Sequence, residues 1–544
     1  MRILVLQLAR FGDIYQTWPI LKALARSHPD AEIHVLVRQR FQAALSGLAG
    51  VRVHALPTAD ILAPIYAAGD ENAAHGNLLG FLGPLRDLNF DRIVNLSFSP
   101  VSSYLADAVA HARTATTGYT RFEDGYLRIP DDPSAYFFAQ GEIGGANRFH
   151  ITSIFAAVAG VDLTPEDFAG GERPRSRHAL IHLGGSQRER SYPAELWARA
   201  IKDICRDHDC ILIGSPGERA LSETVLAAVA SPRLRNLCGK TRIEELPALV
   251  GEASLLVGAD SAPAQLAGLT GTPVLQITSD ASNFWTTGPT APGSRVLYEA
   301  ELQEIDPARI AAEARAMLEG RPPEGPCAFR TERIGEYRLH ELHFDDFSWR
   351  LIQALYTQSP YPETGERADL LAFQRLHEIS GLALDQFDGR PLEARALGQI
   401  DTLLNEVGRL NPRVRPLVQW FETERMRLPP GTLEETVARS RALFTDLRLI
   451  SSVYHRPANP EEGYRRAREL CSELCPALRE FDFGSHEDAF QSLVSTLHEL
   501  AAHSTKVGGA SWSERLESLH SALERRDFIE IADQLEHELL PALS

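Results

Sequence analysis

The sequence predicts two α/β halves of Rossmann type in tandem, followed by an all-α domain. Three observations carry this. Short continuous apolar runs, the mark of strands buried on both faces of a parallel sheet, alternate with amphipathic helical stretches over residues 1–320. A stretch rich in Pro, Gly and Arg at 161–178 interrupts the alternation once, as an inter-domain linker would. From 341 onward the strand signal vanishes and helical periodicity takes over. The expected domains are 1–165, 175–325 and 341–544.

In the first half, Ile3 to Leu8 reads as a buried strand, Ala9-Arg10-Phe11-Gly12 as its turn, and a helix follows from about Asp13 to Ser27-His28-Pro29. Ile33 to Val37, Val51 to Leu56, Ile93 to Leu96 and Thr114 to Gly118 are further strands, with helices over Phe41–Leu48 and Val101–Ala110. Tyr119 to Gly145 is polar, aromatic and Gly/Pro-bearing, and reads as a long loop; 147–160 reads as a helix ending at Gly160. The second half repeats the alternation. Strands are expected at Ala179–Leu183, Cys210–Ile213, Leu234–Leu237, Ser254–Val257 and Val274–Ile277, with Val296–Tyr298 as the last. Helices lie between them, and one over Pro307–Leu318 stops at Gly320. The all-α domain divides into helices at 346–358, 366–386, 391–410, 413–428, 431–453, 460–479, 486–503 and 512–543.

Composition narrows the function classes. At 544 residues the chain exceeds a single core. A net charge of −18 argues against nucleic-acid binding, which needs a basic face. Residues 341–544 carry 34 acidic against 22 basic side chains, so the helical domain holds most of the excess. Six cysteines without a CxxC pair fit free thiols in a reducing compartment, and Cys471 with Cys475, four apart on one helix face, lacks a second ligand pair for a metal. Met1 leads straight into a strand without a signal-peptide pattern, and no apolar run approaches the ~20 residues of a membrane span. The expected location is the cytoplasm.

The residues able to carry chemistry sit just after strands, where doubly wound sheets bind ligands. Arg10, Gly12 and Asp13 follow the first strand. Asp13 with Gln16 three positions on reads as a capping box, or as a carboxylate facing a cleft and able to act as general base. Gly184-Gly185-Ser186-Gln187-Arg188-Glu189-Arg190 is a glycine-rich turn whose Arg188 and Arg190 can neutralise a diphosphate, or a solvated basic turn; it lacks the Gly-Lys-Ser/Thr of a Walker loop. Glu218, in Gly214-Ser215-Pro216-Gly217-Glu218, is a helix-dipole partner or an acceptor for a ribose hydroxyl. Lys240 follows the next strand and either binds ligand or covers the adjacent helix. Gly258-Ala259-Asp260-Ser261 opens a helix that runs through Gln265 and Gly268, and a helix N-terminus is an anion site as well as an ordinary cap.

The ordered series resembles glycosyltransferase family 9, the heptosyltransferase-like enzymes. The resemblance rests on Met1-Arg2-Ile3-Leu4-Val5 with Gly12-Asp13 and Pro19, on Arg190-Ser191-Tyr192-Pro193 with Trp197, and on the 214–218, 238–241 and 258–261 motifs, and covers about 1–320. It implies a GT-B fold, an inverting and metal-independent transfer, and Asp13 as catalytic base. It implies donor contacts from Gly184, Arg188, Arg190, Glu218, Lys240, Asp260, Ser261 and Gln265, with Arg10 and Gly12 on the acceptor side. A nucleotide-sugar donor follows, ADP-heptose by analogy with close members. Where the family usually has Gly and His, this chain has Ala262 and Gln265; glutamine hydrogen-bonds but carries no charge, so the donor is left open.

The resemblance implies an acceptor hydroxyl on lipopolysaccharide or another surface glycan, which brings peripheral contact with the inner face of the membrane. The acidic helical domain offers no basic membrane-facing signal and fits a protein partner or protein acceptor equally well. A non-catalytic sugar-nucleotide-binding scaffold is the rival class. A nucleotide-sugar epimerase would need Gly-x-x-Gly-x-x-Gly after the first strand and Tyr-x-x-x-Lys, and neither is in place.

Overall fold

Ile3 to Leu6 are wholly buried because a parallel strand flanked by helices is covered on both faces. This strand, β1 (Arg2–Leu6), is the centre of a five-stranded parallel sheet. The structure is a computed structural model. It describes residues 1–168, 176, 178–184, 191–331, 336–387, 394–454 and 460–480, then scattered positions between 486 and 525, and 527–543.

The first half continues with α1 (Phe11–Ser27), β2 (Glu32–Arg38), β3 (Val51–Leu56), α2 (Thr58–Ala68), α3 (Glu71–Asp87), β4 (Arg92–Asn95), α4 (Pro100–Val109) and β5 (Ala115–Thr117). A small hairpin, β6 (Thr120–Arg121) with β7 (Leu127–Arg128), precedes α5 (Asp132–Ile143), α6 (Ile151–Ala159) and α7 (Pro165–Phe168). Strand order is β3-β2-β1-β4-β5. Direction of winding reverses between β1 and β4, the place where such sheets open a crevice at their carboxyl ends.

Two segments depart from the sequence reading. Residues 57–92 carry α2 and α3, which the reading leaves without an element because Pro64, Gly80, Gly83 and Pro84 punctuate them; Asp70 nonetheless caps α3 by accepting the Ala73 N–H at 2.9 Å. The expected loop 119–145 instead holds the hairpin and α5. Its start was signalled by Asp131, which accepts the Ser134 N–H at 2.8 Å ahead of Pro133 in the first turn.

The second half comprises β8 (His178–His182), α8 (Ala194–Ile204), β9 (Asp209–Ile213), α9 (Arg219–Val229), β10 (Leu234–Asn236), α10 (Leu246–Glu252), β11 (Leu255–Gly258), α11 (Ala262–Thr270), β12 (Val274–Thr278), α12 (Phe284–Thr287), β13 (Arg295–Tyr298) and α13 (Pro307–Leu318). Its strand order begins β10-β9-β8-β11-β12-β13, all parallel. The sheet does not end there as expected. An antiparallel hairpin, β14 (Cys327–Arg330) and β15 (Tyr337–His340), extends it to eight strands across the segment read as a boundary. The core packs α8 through Trp197, Ala200, Ile201 and Ile204 onto Ile181 and Leu212, with Tyr192 edge-on to Trp197 at 5.2 Å.

Met1–Trp349 form one compact unit, so the two halves face each other within it. Polar contacts join them. Asn283 Nδ2 donates to the carbonyls of Gly144 (2.7 Å) and Asn147 (2.6 Å), and Asn147 Nδ2 donates to Thr286 Oγ1 at 2.8 Å. Buried His150, its pKa pushed down to about 4 by burial, donates from Nε2 to the Gly288 carbonyl at 3.1 Å. The segment after β15 returns to the first half, where Arg148 pairs with Asp346 at 2.6 Å and lies 4.6 Å over the Trp285 ring.

Arg350–Ser544 form the second unit. It contains most of α14 (Phe347–Thr357), then α15 (Arg367–Phe387), α16 (Ala394–Leu410), α17 (Arg415–Arg427), α18 (Leu433–Ser452), α19 (Pro460–Arg479) and α20 (Phe528–Asp533). Phe373 of α15 stacks on Tyr454 at 3.8 Å, and buried Asp369 is held by Arg413 at 3.0 Å. Cys471 and Cys475 lie in the apolar contact between α19 and α20, and burial raises both thiols, to about 12 and about 11. Most of the expected helix at 486–503 and the first part of that at 512–543 lie outside the described residues. No described helix is long and apolar enough to cross a membrane.

Gly118 has φ +84, and a Cβ there would lie 2.1 Å from the Asn95 backbone oxygen. Gly118→Ala is therefore expected to cost at least about 2 kcal/mol, read as a lower denaturant midpoint. A wild-type midpoint would contradict this account of the β4–β5 edge.

Candidate functional site

The chain leaving β1 is pinned by Gln7, whose buried amide donates to Thr17 Oγ1 and the Leu96 carbonyl, both at 3.2 Å. The first turn of α1 is thereby fixed beneath the crevice. The helix starts two residues earlier than expected, so Arg10 is its N-cap and Asp13 its third residue. Asp13 caps the helix from inside, accepting the Arg10 N–H at 3.0 Å. Arginine has no acceptor to return the bond, and Gln16 is left free for another partner.

Asp13 also faces a cavity of about 850 Å³ between the two halves. Burial raises its pKa above the ordinary aspartate value; the Arg10 N–H opposes this, and the Asp260 charge raises it further. The first half contributes Arg10, Phe11, Gly12, Arg38, Arg40, Phe41, Phe98 and Val101 to the walls. The guanidinium groups of Arg38 and Arg40 lie 4.7 and 4.4 Å from the Phe41 ring centre. Phe98 and Val101 form a mouth that is more than half exposed.

The second half contributes the entry to α11. Asp260 Oδ2 accepts from Ser282 Oγ (3.2 Å) and Thr287 Oγ1 (3.0 Å), while Oδ1 accepts from Gln265 Nε2 at 3.1 Å. Ser261 occupies the N-cap with extended backbone but makes no capping bond, and its buried hydroxyl has no partner. First-turn N–H groups of a helix lack intrahelical acceptors, so this end of the cavity offers unpaired donors and a positive dipole end.

Six expected site residues thus meet in one cavity: Arg10, Gly12, Asp13, Asp260, Ser261 and Gln265. Gly184 and Glu218 meet at a second place, over the carboxyl ends of β8 and β9. A Cβ on Gly184 would lie 1.4 Å from Glu218 Oε1, so only glycine lets that carboxylate reach its partners. Those are His182 Nε2 at 3.2 Å and the Ser215 N–H at 2.6 Å. Burial opposes ionisation of Glu218, but the His182 contact and charge and the Ser215 bonds outweigh it and hold its pKa at about 2. Lys240 does not join either group; its Nζ donates to the Asn236 carbonyl at 2.9 Å and closes its own turn. Arg188 and Arg190 lie outside the described residues.

Sequence reasoning missed Gln16, Arg38, Arg40, Ser282, Thr287 and His182. His182 carried a signal, as the last residue of a strand two positions before a Gly-Gly turn. Gln16 reads in the sequence only as a capping partner of Asp13, and the rest come from elements remote in sequence. Among the described residues, no three His, Cys, Asp or Glu side chains converge as metal ligands.

Glu218 contributes stability that is full above its ordinary value near 4.5 and is lost as pH falls through about 2. Glu218→Gln is expected to cost roughly 1.5–3 kcal/mol at pH 7, the range for a hydrogen bond to a charged group. The difference should shrink in urea melts taken from pH 5 towards pH 3. An unchanged difference would contradict the ion pair.

Residues 161–304 match the family model described as glycosyltransferase family 9 (heptosyltransferase). The chain is similar to lipopolysaccharide heptosyltransferase 3 of Escherichia coli, 22% identical over 299 residues covering 50% of this chain and 82% of that protein. It is 22% identical over 283 residues to the lipopolysaccharide core heptosyltransferase OpsX of Haemophilus influenzae, covering 50% and 77%. Among solved structures, it aligns with a family 9 glycosyl transferase from Veillonella parvula at TM-score 0.46 and 17% identity, covering 59% of this chain and 97% of that one. E. coli heptosyltransferase WaaC with ADP aligns at TM-score 0.46 and 15% identity, covering 58% and 100%. Two Rossmann-like halves thus face each other within one unit of this chain, and residues 161–304 carry its match to glycosyltransferase family 9 (heptosyltransferase).

Proposed function

We propose that the chain transfers a sugar, heptose in the first instance, from a nucleoside-diphosphate donor such as ADP-heptose to a hydroxyl of a lipopolysaccharide-type or other surface-glycan acceptor. One observation carries this reading: the Asp13 carboxylate and the open N-terminus of α11 face one cavity from opposite halves. A base and an anion cradle across one space are what a single displacement needs. The relatives named as lipopolysaccharide heptosyltransferases support the choice of sugar and acceptor class.

In this reading the acceptor hydroxyl lies against the first half and attacks the anomeric carbon. Its proton passes to a carboxylate oxygen of Asp13. The bond from the anomeric carbon to the donor phosphate oxygen breaks, and the nucleoside diphosphate leaves with the electron pair towards Ser261 and the α11 N-terminus. Attack opposite the leaving group inverts the anomeric centre. A raised Asp13 pKa makes the carboxylate a stronger base than an exposed aspartate. The first-turn N–H groups and the Ser261 hydroxyl supply the positive field at the leaving group, so the step calls for no metal. Arg10, Arg38 and Arg40 on the acceptor side fit an acceptor that bears anionic groups.

Asp13→Asn is expected to lower transfer at least ~100-fold while ADP affinity, measured by calorimetry, stays near wild type. The acid limb of the wild-type kcat/KM profile is expected above the ordinary aspartate value of about 3.9. Transfer by Asp13→Asn within tenfold of wild type would remove Asp13 as the base. Donor consumption with a protein acceptor but not with a glycan would move the acceptor to the protein class.

A further inference from the structure

Gln265 sits where a donor ligand was expected, yet its amide is already committed. It is 6% exposed, and so is Gln16 of the opposite half. Gln265 Nε2 donates to Asp260 Oδ1 at 3.1 Å and also to the Thr287 carbonyl. Both of those partners are acceptors, so the NH2 group must face them and Oε1 must face away. It then accepts Gln16 Nε2 at 2.8 Å, and the direction of the whole chain of bonds is forced. An amide has two N–H donors, and both are used here, leaving none for a ligand.

The two helices meet closely at this point. A Cβ on Gly12 would lie 3.6 Å from Gln265 Cγ and 3.8 Å from Ala262 Cα. On α1, Asp13 and Gln16 are three apart and share a face; Gln265 lies one turn below Ser261 on α11. Each helix therefore presents a functional group to the cavity and, one turn deeper, a glutamine to the other helix. Thr287 belongs to both systems, since its hydroxyl holds Asp260 and its carbonyl holds Gln265, while Asn283 and Thr286 of the same short helix tie it to Gly144 and Asn147 of the first half.

We infer that Gln16 and Gln265 form a strut between the two halves, positioning residues that keep the Asp260 carboxylate and the α11 N-terminus in register with Asp13. The inference rests on the proposed transfer reaction and deepens it. Misplacement of reacting groups by about 1 Å costs ~100-fold in rate, so a strut of this kind acts on turnover and not on donor affinity.

The test compares Gln16→Ala, Gln265→Ala, their double variant and Gln16→Met, which keeps side-chain length without the amide. Both single alanine variants and Gln16→Met are expected to lose ~10–100-fold in kcat, with ADP affinity within about twofold of wild type. The double variant is expected to be no worse than either single one, because the two residues serve one interaction. Amide hydrogen exchange should rise at 260–265 and 282–288 in Gln16→Ala, although that residue lies in the other half. Wild-type kcat in Gln16→Ala and Gln16→Met would overturn the strut, as would loss of ADP affinity confined to Gln265→Ala, which would make Gln265 a donor ligand. If the wild-type chain transfers no sugar, the proposed function falls, and exchange decides the strut alone: unchanged exchange in Gln16→Ala overturns it.

Discussion

Two helix N-termini meet across one cavity, and they are treated differently. A helix always begins with N–H groups that lack intrahelical partners. In α1 the Asp13 carboxylate satisfies the Arg10 N–H from within the helix. In α11 the corresponding place is left open: Ser261 makes no capping bond and its buried hydroxyl has no partner. A structural cap would close that end. Left open opposite a buried carboxylate, it gives the crevice one basic wall group and one anion-binding wall group.

The same asymmetry explains why the carboxylates are supported so differently. Asp260 accepts from Ser282, Thr287 and Gln265, so its charge is held by fixed donors. Asp13 is held by backbone N–H groups, is otherwise buried, and has Asp260 as an electrostatic neighbour. One carboxylate is fixed in place by three donors and the other is pushed by burial towards proton uptake, which is the division expected of a positioning group and a base. The sheet topology places both at reversal points of winding, since β1 and β11 each lie at the switch in their sheet.

Much of this was legible in the sequence because it is local. Continuous apolar runs such as Ile3–Leu6 and Leu255–Val257, bounded by turn residues, read as doubly covered strands, and the turns after them point to Asp13, Asp260 and Ser261. What was not legible depends on distance along the chain. Gln16 and Gln265 are 249 residues apart, and neither identifies the other by spacing. Arg38 and Arg40 look like solvated residues at a strand end until Phe41 and the opposite half enclose them. The antiparallel β14–β15 hairpin was hidden by the Pro and Gly residues around it, and α2 and α3 by internal ones. The acidic helical unit packs its own core through Phe373, Tyr454, Phe421 and Phe444, and its composition alone gave no chemistry to look for.

The central claim is a place: donor phosphates at the start of α11 and the reacting carbon opposite Asp13. A crystal structure of the full chain with an inert nucleotide-sugar analogue tests it most directly. The account predicts the diphosphate on the first-turn N–H groups of α11 and the Ser261 hydroxyl. It also predicts the anomeric carbon in the cavity, with room for an acceptor oxygen at ~3–3.5 Å on the Asp13 side. A sugar bound outside that cavity, or a diphosphate away from α11, would contradict it.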